Sequence, residues 1–141
     1  MKLLIAIDGS DHALHALRYV IRLAKENGPV SIHLVNAHEE PTHYGELAVY
    51  VTLDKMIQLQ QQAAALVLQR GEEVLRQAGL SYTKEILIGN VPTSIVQCAE
   101  ALHCDGIVLG SRGMTAVGSM MMGSVATKVT HLAKLPVTLV K

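Results

Sequence analysis

Two short segments of this 141-residue chain, Leu3-Leu4-Ile5-Ala6-Ile7 and Ile107-Val108-Leu109, are apolar at every position. A strand with one wet face alternates apolar and polar residues. An unbroken apolar run needs cover on both faces, which is the situation of a parallel sheet held between helices. The intervening sequence supplies those helices. After Asp8-Gly9-Ser10, where Ser10 or Asp11 can cap, Ala13, Leu14, Leu17, Val20, Ile21 and Ala24 recur at helical spacing. Asn27-Gly28-Pro29 then ends the helix with an αL-competent residue and a proline.

The same alternation continues. Residues 30–37 read as a second strand, and 38–50, with Pro41 and Gly45, as a surface loop. A long helix is expected over 53–78, with Met56, Ile57, Ala63, Ala64, Val67, Val74 and Ala78 as its apolar stripe. Gln58, Gln61, Gln62 and Arg70 fall on its polar side. Gly71 sits on the stripe, where it costs roughly 1 kcal/mol relative to Ala, so a close approach to the sheet is expected there. Gly79 supplies the stop. Residues 81–88 form a third strand, and 91–102 a helix with Pro92 in its first turn. A fourth strand covers 106–110, a helix 124–133, and a last strand 136–140. The order β-α-β-α-β-α-β-α-β implies one α/β domain: a five-stranded parallel sheet with helices on both faces and right-handed crossovers. Ligands of such sheets bind beyond the carboxyl ends of the strands where strand order reverses, which directs attention to Asp8, Val35 and Gly110.

Composition narrows the function classes. Twelve acidic and twelve basic residues give a formal charge of zero, with no long run of either sign, so neither nucleic acid nor an anionic membrane is an expected partner. With no Trp or Phe, the core is aliphatic and there is little aromatic surface on which bases could stack. The opening apolar run is shorter than a signal peptide's, and no segment reaches the roughly 20 apolar residues of a membrane span. Cys98 and Cys104 fit neither zinc nor CxxC spacing. These features point to a cytoplasmic protein with reduced thiols.

The segment 110–124, Gly110-Ser111-Arg112-Gly113 through Gly118 to Met122-Gly123-Ser124, joins the fourth strand to the last helix. Its glycines let the backbone approach a ligand closely. Gly123 and Ser124 stand at a helix start, where free N–H groups and the helix dipole favour an anion. The Ser124 hydroxyl can either donate to a phosphate or cap the helix, and the whole segment can equally be an ordinary βα loop. GxxxxGK[ST] is absent, and the first βα turn, Asp8-Gly9-Ser10-Asp11-His12, lacks GxGxxG. P-loop phosphoryl transfer and NAD-linked hydride transfer are therefore not expected. Arg112 and Lys128 are the nearby cations, each also able to sit simply in solvent.

Several of these stretches resemble one family. Ile5-Ala6-Ile7-Asp8-Gly9-Ser10 is similar to the opening strand and turn of universal stress proteins, and Ile107-Val108-Leu109-Gly110-Ser111-Arg112-Gly113 to their fourth-strand signature. The spacing Gly110-x2-Gly113-x9-Gly123-Ser124 resembles the glycine motif of the ATP-binding branch, and Pro136-Val137-Thr138-Leu139-Val140 the closing strand. The likeness covers essentially the whole chain. It implies a Rossmann-like fold of the adenine nucleotide alpha hydrolase kind, and a nucleotide-binding regulatory protein of the stress response.

By position, the resemblance implies that Ala6 and Asp8 line the adenosine side, Asp8 through its carboxylate, and that Val35 meets the adenine through its backbone. Leu109 and Gly110 would border the ribose and phosphates. Gly113, Gly123, Ser124 and Val125 would hold phosphates, largely by main-chain N–H groups. The implied ligand is ATP or AMP, with any Mg²⁺ or Mn²⁺ arriving on the phosphates. The family often has Ser or Thr after its Ser-Val pair, where this chain has Ala126, so one hydroxyl contact is missing. The implied partner is a second copy of the chain, docked through the 136–140 edge.

The remaining polar residues have plainer readings. Asp8 can cap the next helix, and Asp105 suits a turn better than a catalytic base. His12 and His15 are three apart on a helix, and His38, Glu39, Glu40 and His43 cluster in a loop. The first spacing can place two ligands on one face, but no nearby Cys or HExxH pattern supports it. The loop cluster has metal-binding potential but suits an ordinary solvated loop better, and no metal is assigned to either. Met120, Met121 and Met122 suit packing. No GxSxG motif or triad is present. A nucleotide-free dimeric interaction module and a slow ATPase remain the alternative functions.

Overall fold

The computed structural model describes residues 1–42, 51–113 and 122–141. Five strands, β1 (Lys2–Ala6), β2 (Ser31–His38), β3 (Tyr82–Ile88), β4 (Gly106–Gly110) and β5 (Val137–Val140), form one sheet in the order β3-β2-β1-β4-β5. All four pairings are parallel. Between them, in chain order, come α1 (Asp11–Asn27), α2 (Leu53–Gln77), α3 (Val91–Ala101) and α4 (Ser124–Leu132). The expected α/β architecture is the one observed.

Successive strand side chains point to opposite faces, and the core divides accordingly. Leu3, Ile5 and Ile7 of the first strand segment meet Ala16, Leu17 and Val20 of α1 and Leu68 and Leu75 of α2 on one face. Leu4, Ile107 and Leu109 meet Ile95, Val96 and Ala99 of α3 and Val129 of α4 on the other. The two apolar runs occupy the centre of the sheet, covered on both sides.

Three helix starts carry a side-chain cap, at α1 by the expected Ser10. Ser10 Oγ accepts the Ala13 N–H at 3.2 Å, Thr52 caps α2 through Lys55, and Asn90 caps α3 through Thr93. Gly28, at φ 95°, closes α1.

The α2 stripe needs correcting. Its buried line is Ala64, Leu68, Gly71 and Leu75, whereas Ala63 is exposed and Ile57 is 36% exposed. Ala63 lies about 100° around the helix from Ala64. Ile57 shares the line, but a 25-residue helix runs roughly 37 Å, and the strands beneath it are shorter, so its first turns overhang the sheet. At Gly71 the expected close approach is present: an added Cβ would stand 2.6 Å from Ile7 Cδ1 and 3.0 Å from Leu34 Cδ2.

Candidate functional site

In the sheet, β2 and β3 lie on one side of β1, and β4 and β5 on the other. The connection leaving β1 leads to α1 on one face, and the one leaving β4 leads to α4 on the opposite face. Diverging connections at adjacent strands open a crevice at their carboxyl ends. A cavity of about 460 Å³ lies there, within the size range of small-molecule sites.

Its walls differ in character. Ala6, Ala37 and Leu109 from the strands, with Val91, Ile95, Val125 and Ala126 from the helices, form an apolar side. Asp8, Arg112 and Ser124, with the backbone of Gly110, Gly113 and Gly123, form a polar one. The half-exposed Met122 stands at the rim; the expectations for His43, Met120 and Met121 lie outside the described residues.

Asp8 is held by the turn that starts α1. Gly9 adopts φ 88°, and Asp8 Oδ1 accepts the Ser10 N–H at 2.9 Å. Ser10 does the helix capping, while the other carboxylate oxygen faces Gly113. The buried Asn36 braces the same turn by donating from Nδ2 to the Ile7 carbonyl at 2.8 Å.

The glycine part of the polar wall is backbone brought close by missing side chains. A Cβ on Gly110 would meet His12 at 2.8 Å, so this residue admits the start of α1 over the end of β4. The Gly123 N–H donates to the Ser111 carbonyl at 2.8 Å, and the Ser111 N–H to the Val140 carbonyl at 2.7 Å. The strand exit and the α4 entrance therefore run side by side.

Among the described helices, α4 alone starts without a side-chain cap. Gly123 is its N-cap residue, and Ser124 is its first helical residue. The Ser124 hydroxyl therefore does not serve as the cap. Thr127 bonds back to the Gly123 carbonyl through both its N–H and its Oγ1, at 3.0 and 2.9 Å.

The cavity gathers eight of the nine residues expected at the site: Ala6, Asp8, Leu109, Gly110, Gly113, Gly123, Ser124 and Val125. Val35 is not among them. It is fully buried within β2, and its carbonyl accepts the Ile7 N–H at 2.9 Å. Side chains alternate along a strand, so Ala37, two residues on, presents the same face nearer the strand end and lines the cavity instead. Sequence reasoning also missed Val91 and Ile95, whose only local signal was the helix start at Pro92. Arg112 lines the cavity, whereas Lys128 is exposed on α4 and does not.

Asp105 accepts the Lys2 N–H at 2.6 Å and pins β1 to the start of β4, at the opposite end of the sheet. The His12 and His15 rings lie 6.0 Å apart, edge to face, and His15 Nδ1 is 3.0 Å from the Lys141 carbonyl oxygen. Among the described residues, His12, His15 and His38 belong to no metal-ligating cluster. Nor, among those residues, is any helix long and apolar enough to cross a membrane.

Comparison with known proteins places this geometry in a family. The profile described as the universal stress protein family matches residues 1–141. A universal stress protein of Thermus aquaticus, named for its position in the 3′ region of the QAH/OAS sulfhydrylase, is 32% identical over 141 residues, covering 99% of this chain and 97% of that protein. The solved structure of protein MJ0577 superposes with a TM-score of 0.85 at 26% identity, over 99% of this chain and 94% of that one. A family protein of Arabidopsis thaliana, solved with AMP bound, gives a TM-score of 0.70 at 19% identity, covering 100% of this chain and 91% of its own. With its Rossmann-like parallel sheet and full-length match, the chain belongs to the universal stress protein family.

Proposed function

We propose that this protein is a nucleotide-binding regulator of the stress response that holds an adenine nucleotide, ATP or AMP, at the carboxyl ends of β1 and β4. The observation that carries this reading is the α4 N-terminus, which opens without a side-chain cap into a cavity whose other wall is apolar. Unpaired N–H groups and the helix dipole suit a phosphate, and the apolar wall suits a flat base. Gly113, Ser124 and Val125 take the phosphates, with Arg112 beside them; Gly110 and Gly123, whose own N–H donates to the Ser111 carbonyl, leave room for the close approach. Asp8 takes the ribose side, and Ala6, Ala37 and Leu109 border the nucleoside. The AMP carried by the Arabidopsis protein supports trying that ligand class first. Any Mg²⁺ or Mn²⁺ arrives on the phosphate oxygens, the donors such hard cations prefer.

The protein acts as a homodimer on this reading. β5 is a sheet edge whose four residues are all only partly buried, and an unpaired apolar edge invites a second copy. The two free cysteines suit a reducing, cytoplasmic setting.

Thermal denaturation with and without ATP or AMP tests the nucleotide assignment. Ligand at a hundredfold excess over Kd stabilises by about 2.7 kcal/mol, a clear rise in Tm. An unchanged Tm with both nucleotides at millimolar concentration refutes it.

A further inference from the structure

His33, Glu85 and Cys98 lie far apart in sequence, on β2, β3 and α3. Parallel pairing of β2 with β3 sets His33 beside Thr83 and so brings Glu85, two residues on, to the same face. Cys98 reaches that face from the overlying α3. His33 Nε2 stands 3.3 Å from Glu85 Oε2, Cys98 Sγ stands 3.7 Å from the same oxygen, and all three ligand atoms fall within 4.8 Å of one another.

These separations match a coordination shell. With Zn–N and Zn–O of about 2.1 Å and Zn–S of about 2.3 Å, tetrahedral edges come to roughly 3.4 Å for N–O and 3.6 Å for S–O and S–N. Two edges are nearly at those lengths, and the third closes with a movement of at most about 1.2 Å. The donor set of imidazole, thiolate and carboxylate selects a borderline ion over Mg²⁺ or Ca²⁺.

Supporting contacts are also present. His33 is buried, and its Nδ1 lies 2.6 Å from Thr83 Oγ1, the outer hydrogen bond that fixes the ring of a metal-bound histidine. Threonine can accept from Nδ1–H when Nε2 is a ligand, and can donate to Nδ1 when Nε2–H points at Glu85. The Glu85 side chain is 51% exposed, which provides an entry path and room for a water as fourth ligand.

The geometry points to a zinc-class cation site formed by His33 Nε2, a Glu85 carboxylate oxygen and Cys98 Sγ, separate from the nucleotide cavity. Metal entry displaces the Cys98 thiol proton to solvent, and the bound ion ties β2, β3 and α3 together.

Titration of the reduced, full-length chain with Co²⁺ tests this directly. One equivalent should produce a thiolate-to-cobalt charge-transfer band together with intense tetrahedral visible bands, both lost on adding Zn²⁺. The charge-transfer band should vanish in Cys98→Ser and survive in Cys104→Ser, the other free thiol. Glu85→Gln, at a half-exposed position, should likewise lose tight binding while keeping the native circular dichroism spectrum. Thr83→Val should weaken Zn²⁺ binding by roughly 10–100-fold. Absence of the charge-transfer band in the unmodified chain overturns the site, as does its persistence in Cys98→Ser or unchanged affinity in Glu85→Gln.

Discussion

Asp8 Oδ2 occupies the space that a side chain on Gly113 would fill: a Cβ there would stand 2.5 Å from that oxygen. The carboxylate at the end of the first strand segment and the glycine after β4 thus fit against each other in the polar wall of the cavity. Gly113→Val should abolish the nucleotide-dependent rise in Tm, by blocking backbone approach and displacing Asp8. Overpacking costs typically 1–3 kcal/mol, so Gly113→Ala should also be less stable than the parent. Adding Asp8→Ala to Gly113→Ala should recover part of that loss, because it removes the clashing oxygen. A double-mutant cycle by chemical denaturation that shows simple additivity would contradict the geometry.

A second glycine tests packing instead of binding. Helix propensity alone makes Gly71→Ala stabilising by about 1 kcal/mol. The buried Ile7 Cδ1 and Leu34 Cδ2 lie where the new methyl would go, so the substitution should instead lower stability by about 1 kcal/mol or more. Ile7→Val deletes the nearer atom and should make Gly71→Ala milder in that background. Urea midpoints of the four proteins decide the matter.

Asn36 is buried and bonds the Ile7 carbonyl next to Asp8. Asn36→Leu strands that acceptor and should cost about 1–3 kcal/mol. It should also weaken nucleotide binding, since the Asp8 turn loses its brace. Calorimetric titration with AMP, run beside thermal melts, separates the two effects.

The pH dependence of stability should carry the signature of Glu72. Hydrogen bonds from Lys84 Nζ and Tyr82 Oη, each at 2.7 Å, hold its carboxyl below the ordinary glutamate value, Lys84 contributing most. A carboxylate whose pKa is depressed by folding stabilises the fold above its unfolded pKa, and that contribution fades as pH falls through the folded value. Lys84→Met should therefore be less stable than the parent at neutral pH, with the gap closing in acid. Denaturation curves at several pH values, and the Glu72 titration by NMR, provide the check.

At β5, the Pro136 and Val140 carbonyls both accept from β4 and its exit. In a parallel ladder, alternate residues turn their backbone groups the same way, so the Leu139 N–H faces the open edge. Leu139→Pro removes that donor without breaking the β4 ladder and should give the mass of one chain in light scattering. Leu139→Ala, which trims the side chain but keeps the N–H, should remain a dimer. A parent protein that itself runs as a single chain would refute the dimer.

Much of the fold was legible along the chain because its signals are local. Ser10, Gly28 and Pro92 mark helix boundaries through backbone chemistry that depends only on neighbouring residues, and the two unbroken apolar runs specify doubly covered strands. The glycine-bearing segment was legible for the same reason, since it follows a strand and precedes a helix. Registration between distant elements was not. Burial of Leu68 and Leu75 in place of Ala63 depends on how α2 is rotated and how far it overhangs the sheet. Ala37 replaces Val35 at the cavity because the parallel register decides which strand end protrudes. The meeting of His33, Glu85 and Cys98 has no trace in spacing, since three elements packed in three dimensions create it. Sequence by itself determined which segments become strands and helices, because hydrogen bonding and side-chain period are short-range. Only the tertiary structure decided which side chains share a site, because that follows from strand order, register and helix rotation.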